Sequence, residues 1–507
     1  MNPFLLAELE KIFGQENVST GESAVKDKSL DLWPRNLFIK SNPPFSTAIA
    51  VVKTGTDYIR QIQALVLLVK QYGKKIVVRG GGSGVCGAAN AENGEVVLET
   101  TNLNKIELVF YSRLCQKTGL VMAEAGVFGY QLDNFLKNQN ITCGHYPASL
   151  NISTVGGWIS TGANGQYSLY FGNIENIVEA VEGINGRAEI VRLEGDDLKK
   201  VLRLEGTTLI ITKVWLKTVK VPARRLFQSF KFKETEEAIN FLMDLPHLRS
   251  RLDENKVRFW AVRAYDYLDF HFISKPDRAD SVKPAWLEKL EFSAERQLSH
   301  FGPRLEKIVQ TLEKNKMASW ICVICLASDH HEALLQGAKL VKETAAVWNG
   351  QTLDSNIARA WHENRFKLNY EKVQKRFRFG LTVDTFDCRP YWHKMAESYR
   401  LIRHKLFEYG LVGAHFGIDL NQPYIYFTFA LPEKNKEKYA KVCREVLELC
   451  AANGIRTTHH HGVGQAKRGS DNRFLSYAYG RQWLENTARP AKKELDPENT
   501  FNPSNAF

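Results

Sequence analysis

The sequence predicts an α+β protein, in which a two-lobed ligand-binding domain is followed by a domain with one open antiparallel sheet flanked by helices. Two loops dense in small residues follow apolar runs in the first third of the chain. Near Pro222 the character changes to alternating strands and helices, and after Gly454 the chain returns to the first domain. We predict a first domain over 1–222, a second over 223–454 and a returning segment over 455–507.

The composition is that of an ordinary globular protein, and it limits the partners. Of the 507 residues, 44% are apolar and 24% are charged, and a chain of this length holds two or more domains. The net charge of +12 favours an anionic ligand, while no basic run is dense enough for nucleic acid. We therefore expect a small-molecule or lipid-like phosphorylated substrate and no nucleic-acid partner.

The cysteines and the N-terminal segment indicate a cytoplasmic protein. The eight cysteines show no paired spacing, which favours free thiols in a reducing compartment. Cys322 and Cys325 lie in an apolar run typical of a buried strand, so we expect no metal there. The N-terminus lacks the pattern of a signal peptide, and no apolar run approaches the ~18 residues of a membrane helix. Peripheral membrane contact and a homodimer are left open by the sequence.

In the first domain, apolar spacing predicts short strands interleaved with helices. An amphipathic segment runs from Phe4 to Phe13, and Thr56 is predicted to cap a helix with Ile59, Ile62, Leu65, Leu68 and Val69 on one face. Further elements are a helix over 128–138 and strands over 47–52, 76–78, 95–98, 106–110, 121–125 and 205–219.

In the second domain, apolar runs alternate with helical patterns. The segment 275–316 is highly charged and predicts a helical surface insertion. Strands are predicted near 226–233, 257–264, 318–327, 378–386, 411–418 and 424–431.

The first of the two loops runs from Arg79 to Asn90 and is rich in glycine. Glycines let the backbone bring its N–H groups close to a ligand, and successive N–H groups form an anion site suited to a phosphate or pyrophosphate. There is no Gly-Lys-Ser/Thr, and no clear helix follows the Gly-x-Gly-x-x-Gly spacing, so neither an ATP-binding P-loop nor a dinucleotide turn is indicated. A plain tight turn is the alternative.

The second loop runs from Pro147 to Gly165 and is dense in hydroxyl groups. Such side chains can donate to phosphate, ribityl or ring heteroatoms, while the glycines let the backbone close in. Two such loops favour one long ligand that lies across both. The hydroxyl residues are Ser149, Ser153, Thr154, Ser160 and Thr161.

Together these motifs resemble the FAD-binding domain of the vanillyl-alcohol-oxidase superfamily. The resemblance rests on Arg79–Gly84, on Ser153–Trp158, on Glu205-Gly206-Thr207 running into a strand, and on the ending Leu495–Pro503. It implies that the second domain is the cap that covers the flavin ring. Ser83 stands where covalently flavinylated relatives carry histidine, so non-covalent FAD is implied. The implied FAD-binding residues are Val78, Arg79, Gly80, Gly81, Gly82, Ser83, Gly84, Ala148, Ser149, Ser153, Thr154, Gly157, Thr161, Gly162, Asn164, Glu205, Gly206 and Ile211.

Three consecutive histidines stand out as candidates for proton transfer. His459, His460 and His461 precede a Gly-x-Gly turn inside the chain, and histidine is the side chain best suited to proton transfer near neutral pH. In a strand they would alternate between faces. A surface cluster is the alternative. A metal site is not indicated, because no acidic partner lies nearby in the sequence.

Tyrosine and arginine supply the other candidates. Tyr426 lies in a strand of alternating aromatic residues, where core packing is the alternative to a role as general acid or base. Arg263 lies in an apolar strand, where it needs a carboxylate or phosphate partner, and an internal salt bridge is the alternative. Arg376 and Arg378 are a second candidate anion-binding pair, with a solvated face as the alternative.

These residues sharpen the resemblance to one branch, the alkyldihydroxyacetonephosphate synthases (alkylglycerone-phosphate synthases). His145, Arg263, Tyr426 and His459–His461 match that branch's active-site histidine, substrate arginine, acid–base tyrosine and triple-histidine motif. The resemblance implies FAD-assisted exchange of the acyl chain of an acyl-dihydroxyacetone phosphate for a fatty alcohol in ether-lipid synthesis. A second substrate arginine falls near Arg376 or Arg378.

The sequence also departs from that branch, which keeps a second function open. Residues 161–166 replace a basic stretch and are more like those of superfamily dehydrogenases, and Leu209 stands at the position of a family glycine. The alternative is an FAD-dependent oxidase or dehydrogenase acting on a CH–OH substrate. Its 2-hydroxy-acid branch carries a paired-histidine metal motif in the cap, whereas His415 stands alone here.

Overall fold

The computed structural model describes residues 2–41, 50–91, 94–111, 119–252, 256–273, 285–315, 317–366, 370–420, 422–469, 472–505 and 507. The chain divides into two compact units. Unit 1 comprises Met1–Gly165, Asn173–Val221 and His460–Phe507, and unit 2 comprises Gln166–Gly172 and Pro222–His459. The transfer of Gln166–Gly172 to unit 2 was not anticipated from the sequence.

The described strands of unit 1 form two sheets. The first has the order β1-β2-β4-β3, with β2, β4 and β3 parallel and β1 antiparallel to β2. The second is antiparallel with the order β5-β6-β10-β8-β9, and β7 pairs with β10. The strands are β1 Val18–Ser19, β2 Ala50–Lys53, β3 Ile76–Arg79, β4 Val96–Glu99, β5 Ile106–Tyr111, β6 Gly119–Glu124, β7 Ile141–Thr142, β8 Val178–Asn185, β9 Ile190–Glu194 and β10 Leu209–Lys220.

Helices of unit 1 bury an apolar stripe against the first sheet. Leu5, Leu9 and Phe13 of one helix meet Ile62 and Leu65 of another in a core that also holds strand residues. The longer of these helices begins at Tyr58 after Asp57, so the prediction that Thr56 caps it is wrong. The described helices are Pro3–Phe13, Glu22–Ser29, Arg35–Ser41, Tyr58–Gln71, Gly129–Lys137, Val155–Thr161, Ile174–Ile177, Leu475–Tyr479, Arg481–Trp483 and Arg489–Leu495.

The described strands of unit 2 form one open antiparallel sheet, which confirms the predicted α+β class. Its order is β14-β11-β13-β12-β16-β17-β15. Apolar residues face helices on one side, as where the ring of Phe416 packs on that of Tyr399 in the helix Met395–Phe407, with 5.4 Å between ring centroids. The strands are β11 Arg224–Phe232, β12 Arg258–Tyr265, β13 Trp320–Ser328, β14 Gln351–Leu353, β15 Thr382–Cys388, β16 Leu411–Asp419 and β17 Gln422–Leu431.

The helices of unit 2 correct the sequence prediction in one place. A helix occupies Tyr370–Arg378, so the strand predicted near 378–386 begins only at Thr382. The described part of the charged segment forms helices, while 275–284 and 316, like 47–49 of the first predicted strand, lie outside the described residues. The helices are Ser168–Phe171, Thr235–Arg251, Ala285–His300, Gly302–Lys314, His331–Val347, Ser355–Asn364, Tyr370–Arg378, Met395–Phe407 and Lys436–Ala452.

Two further features concern membrane spans and the paired cysteines. Among the described helices, none is both long enough and apolar enough to cross a bilayer. Cys322 and Cys325 lie in the buried strand β13 as predicted, and burial raises the pKa of both thiols, that of Cys325 to about 12. These thiols are therefore protonated packing residues.

Candidate active site

The glycine-rich loop of unit 1 lies directly against the second small-residue loop. A β-carbon on Gly81 would stand 1.9 Å from the carbonyl oxygen of Ile152, and one on Gly80 would stand 2.2 Å from Oγ1 of Thr154. Gly82 has φ +66°, a conformation that side chains disfavour. Glycine is therefore favoured at Gly80 by the Thr154 side chain, at Gly81 by the close backbone and at Gly82 by its φ, and the two predicted loops form one cradle.

The cradle offers N–H groups that the chain itself does not use. Within the described residues, the backbone N–H groups of Gly81, Gly82 and Ser83 donate no hydrogen bond. Successive N–H groups of this kind bind phosphate oxygens, and orphaned donors in a folded chain call for a partner. The loop therefore fits the pyrophosphate of a dinucleotide such as FAD.

The side chain of Arg79 supports this loop from within the protein. Nη1 of Arg79 donates to the carbonyl oxygen of Leu30 at 3.0 Å, and the guanidinium covers the position that a β-carbon on Gly82 would take. The neighbouring Asp31 is buried, which raises the pKa of its carboxyl to about 6, while Arg79 opposes that rise. The geometry assigns the Arg79 side chain a structural role, and the cradle itself is formed by the backbone.

The C-terminal segment joins the cradle through Asn502. Its side-chain oxygen accepts from the N–H of Val78 at 2.8 Å, and its Nδ2 donates to the carbonyl oxygens of Ala88 at 3.2 Å and Glu205 at 3.1 Å. One buried side chain therefore fixes the strand before the loop, the end of the loop and the turn before β10. This accounts for the place of the chain ending among the predicted motifs.

Several hydroxyl groups of the second loop are already engaged as donors. Ser153 donates to the carbonyl oxygen of Ser149, and Ser160 and Thr161 donate to carbonyl oxygens one turn earlier in their helix, each at 2.9 Å. Thr154 caps that helix by accepting from the N–H of Gly157. Since a hydroxyl has one proton to donate, Ser153, Ser160 and Thr161 offer a ligand mainly acceptor lone pairs.

His145 is buried in unit 1 with both ring nitrogens unsatisfied. The side chain is 1% exposed, lies 4.7 Å from the Trp158 ring, and neither nitrogen has a hydrogen-bond partner within the described residues. Burial lowers the pKa of His145 to about 3. A neutral imidazole with an unused donor and an unused acceptor is suited to contact a ring heteroatom or a carbonyl oxygen of a bound molecule.

The low pKa of His145 predicts a loss of stability on acidification. Between pH 6.5 and 3 the unfolded chain takes up a proton that the folded chain does not, so the free energy of unfolding rises with pH there. At pH 5 this costs about 2 kcal/mol. We expect His145→Phe to lose about 2 kcal/mol less than the wild type between pH 7 and pH 5, in unfolding curves at both values. Carboxyls such as Asp31, whose raised pKa acts in the opposite sense, cancel in this comparison. Parallel pH dependences would refute the prediction.

A buried glutamate fixes the segment that carries two of the three histidines. Glu205 is 2% exposed and accepts from the N–H groups of Val463 and Gly464, the latter at 2.9 Å. Burial raises the pKa of Glu205, while these bonds lower it. His460 and His461 precede this turn, with their ring centroids 4.6 Å apart. The Glu205 side chain therefore holds the segment that follows His460 and His461 through the backbone N–H groups of Val463 and Gly464.

In unit 2, a row of polar and aromatic residues crosses the sheet on one face. His415 of β16 is directly opposite Tyr265 of β12 and Tyr426 of β17, and Tyr426 is directly opposite Asp387 of β15. Directly opposed residues of antiparallel strands share a face. The rings of His415 and Tyr426 stack at 4.7 Å with an interplanar angle of 17°. Tyr426 is partly exposed, so its side chain is not packed entirely within the core.

His459 belongs to this same face of unit 2. Its ring stacks on Tyr424 at 4.2 Å, its backbone N–H donates to Oδ2 of Asp387 at 2.7 Å, and its Nε2 lies 3.5 Å from Oδ2 of Asp419. The side chain is 1% exposed. The three histidines thus form neither a strand nor a surface cluster, and His459 is separated by unit from His460 and His461.

Arg263 lies buried on this face without a carboxylate. It is 7% exposed, Nη1 donates to the carbonyl oxygen of Val262 at 2.7 Å, and the guanidinium lies 5.5 Å from the Tyr424 ring. No carboxylate of the described residues forms an ion pair with it, so the alternative of an internal salt bridge is not observed. A buried guanidinium of this kind is stabilised by an anionic ligand.

The second predicted arginine pair has a different environment. Arg376 forms a bidentate ion pair with Glu295, with both N–O distances at 2.8 Å, and Arg378 is exposed at the end of its helix. Arg376 is therefore engaged by Glu295, whereas Arg378 matches the alternative of a solvated face.

Sequence reasoning missed several members of the unit 2 face. It did not identify the buried carboxylates of Asp387, Asp419 and Asp269. It also did not distinguish Tyr265 and Tyr424 from residues of the core. The available signal was the period of two in the strands, which places Arg263 beside Tyr265 and Tyr424 beside Tyr426. Among the described residues, no cluster of three or more potential metal ligands occurs.

Two family comparisons match the chain. Residues 51–194 match the FAD binding domain family, and residues 283–506 match the C-terminal domain of FAD linked oxidases. Together the two ranges span well over half of the chain.

Curated relatives and solved structures agree with these matches. The chain is 23% identical to the alkyldihydroxyacetonephosphate synthase of Caenorhabditis elegans over 465 residues, covering 85% of this chain and 71% of that protein. It is also 23% identical to the uncharacterized FAD-linked oxidoreductase YgcU of Escherichia coli K12, covering 98% of this chain and 97% of that protein. A structure of alkyldihydroxyacetonephosphate synthase superposes with a TM-score of 0.73 at 19% identity, covering 99% of this chain and 85% of that one. One of p-cresol methylhydroxylase gives 0.70 at 15% identity, covering 99% and 96%.

The fold and the cradle define a flavoprotein with the vanillyl-alcohol-oxidase type of fold. The chain carries the FAD-binding domain and the C-terminal domain of FAD-linked oxidases, and it is an FAD-dependent enzyme. The predicted superfamily and the predicted FAD cofactor are confirmed. The non-covalent attachment of FAD and the roles of single residues stay predictions.

Proposed function

We propose that this flavoenzyme exchanges the acyl chain of an acyl-dihydroxyacetone phosphate for a fatty alcohol, as the name of its alkyldihydroxyacetonephosphate synthase relatives suggests. The observation that carries the proposal is the buried Arg263, which has no carboxylate partner in the described residues and lies on the same sheet face as Tyr426. This combination suits a substrate that is both anionic and in need of proton transfer.

The residues divide the work between the two units. In unit 1, the N–H groups of Gly81, Gly82 and Ser83 would hold the FAD pyrophosphate, and FAD when bound supplies a reversible electron-accepting centre. In unit 2, Arg263 would bind the substrate phosphate. The hydroxyl of Tyr426 would exchange a proton with the carbon beside the ketone. His459, held through Asp387 and Tyr424, would accept or return protons on the same face.

A second candidate is an FAD-dependent oxidase or dehydrogenase that acts on a CH–OH substrate. The observation that favours it is the similarity to the oxidoreductase YgcU, which extends over 98% of the chain. In that case Arg263 would bind a substrate carboxylate or phosphate, and Tyr426 or His459 would take the hydroxyl proton.

An anaerobic absorbance titration separates the two candidates. We expect the flavin spectrum to bleach on addition of an acyl-dihydroxyacetone phosphate and to recover on addition of a fatty alcohol, without oxygen. Bleaching by a hydroxylated compound alone, reversed only by oxygen or an acceptor dye, would replace the exchange reaction with the oxidoreductase. An unchanged spectrum with the phosphoketone would reject the exchange reaction.

A further inference from the structure

The ring of Tyr426 stacks on the ring of His415 in the neighbouring strand. The two residues are directly opposite on β16 and β17, and their rings are nearly parallel at 4.7 Å. The imidazole covers one face of the phenol ring, so the ring cannot swing about its χ1 toward that side, and the position of the Tyr426 hydroxyl oxygen is tied to the position of His415.

His415 is itself held by a buried carboxylate. Its Nδ1 lies 2.9 Å from Oδ2 of Asp269, whose side chain is 1% exposed. Because the carboxylate accepts, Nδ1 carries the proton, and the imidazole orientation is fixed by a charge-assisted bond. The other face of His415 meets the Tyr265 ring at 5.1 Å.

Asp269 is also fixed in place. Its backbone N–H donates to Oδ1 of Asp266 at 2.7 Å, and Oδ2 of Asp266 accepts from the N–H of Ala414 at 3.0 Å. Ala414 immediately precedes His415. The carboxylate and the strand that carries the imidazole therefore share one anchor, which sets the distance between them.

We propose that His415 and Asp269 are positioning residues for Tyr426: Asp269 orients the imidazole, and the imidazole holds the phenol ring, and with it the hydroxyl oxygen, in place. The inference rests on the proposed role of Tyr426 in proton transfer. A misplacement of about 1 Å at a reacting group costs on the order of 100-fold in rate, so loss of the contacts that hold this ring is expected to lower turnover strongly.

Variants that remove either the imidazole ring of His415 or the carboxylate of Asp269 test this proposal. His415→Asn keeps a donor for Asp269 and removes the stacked ring. Asp269→Leu removes the acceptor at similar size, and Asp269→Asn keeps an acceptor oxygen. With whichever compound bleaches the wild-type flavin, we expect His415→Asn and Asp269→Leu to lower kcat roughly 10- to 100-fold, with KM within about threefold. Asp269→Asn should restore most of kcat, and FAD content should be unchanged.

A matched control is available on the same unit. His393 stacks on Tyr391 at 5.8 Å and 13°, and Tyr391 is exposed. His393→Asn should leave kcat and KM unchanged, since this pair resembles the His415–Tyr426 stack but carries no proposed role.

A spectroscopic measurement tests the inference without a substrate. The near-ultraviolet circular dichroism difference between wild type and Tyr426→Phe reports how well that ring is held. We expect the difference to shrink in the His415→Asn background, and an unchanged difference would overturn the inference.

Wild-type kcat in His415→Asn, with Tyr426→Phe inactive, would also overturn it and leave the proposed function standing. Full activity of Tyr426→Phe would instead remove Tyr426 from the mechanism and the inference with it.

Discussion

Replacing Tyr426 by phenylalanine should abolish turnover while FAD stays bound. The substitution removes one hydroxyl oxygen from a partly exposed ring and leaves the stack on His415 in place. General acid or base catalysis contributes roughly 10²- to 10⁴-fold, so we expect kcat to fall by at least about 100-fold. The measurement is steady-state kinetics together with the flavin absorbance of the purified variant.

The control for this substitution is Tyr391→Phe. Tyr391 also lies in unit 2, is 61% exposed, and forms no hydrogen bond through its hydroxyl within the described residues. It should keep wild-type kcat and KM. Near-normal activity of Tyr426→Phe would show that another group, such as His459, transfers the proton.

Replacing Gly81 by alanine should remove FAD from the protein. The added β-carbon would stand 1.9 Å from a backbone carbonyl oxygen, and a backbone cannot yield as a flexible side chain can. The loop must shift, and two N–H bonds to phosphate, each worth about 1.5–3 kcal/mol, are lost. We expect FAD affinity to fall roughly 100-fold or more, measured by the flavin retained on purification and by titration with FAD.

Gly21→Ala provides the comparison for Gly81→Ala. Gly21 lies in the same unit with φ −63°, and no atom comes within 4 Å of the place that its added β-carbon would take. It should bind FAD as the wild type does. Circular dichroism of Gly81→Ala distinguishes a displaced loop from an unfolded unit, and wild-type FAD content in a folded Gly81→Ala would contradict the assigned cradle.

Much of the fold was predictable because long strands and helices carry their own periodicity. The strands β11, β12, β13, β16 and β17 were each predicted within a few residues. The short strand β14 was missed because its residues are exposed or half-buried and show no apolar alternation. The start of β15 was predicted too early, because the helix over Tyr370–Arg378 extends to the first residue of the predicted range.

The membership of Gln166–Gly172 in unit 2 shows a second limit. Locally these residues continue the second loop, and only distant partners assign them. The hydroxyl of Tyr167 lies 2.8 Å from Nε2 of His362, and Ser168 donates to the carbonyl oxygen of Ile418 at 2.8 Å. Contacts between residues so far apart in the chain leave no periodic pattern in the sequence.

The sequence by itself determined the cofactor class, through the resemblance carried by the two loops, Glu205–Thr207 and the chain ending, and the structure shows close contacts at Gly80 and Gly81 and a hydrogen bond from Val78 to Asn502 within these motifs. It also singled out Arg263 and Tyr426 as polar groups in apolar or aromatic strands, while His145 followed from the resemblance alone. Only the tertiary structure decided that Arg263 lacks a carboxylate within the described residues while Arg376 has one, and that Asp269, His415 and Tyr426 form one array. The reason is physical: whether a buried charge or ring is free to act depends on its neighbours in space, and strand pairing, not chain order, chooses those neighbours.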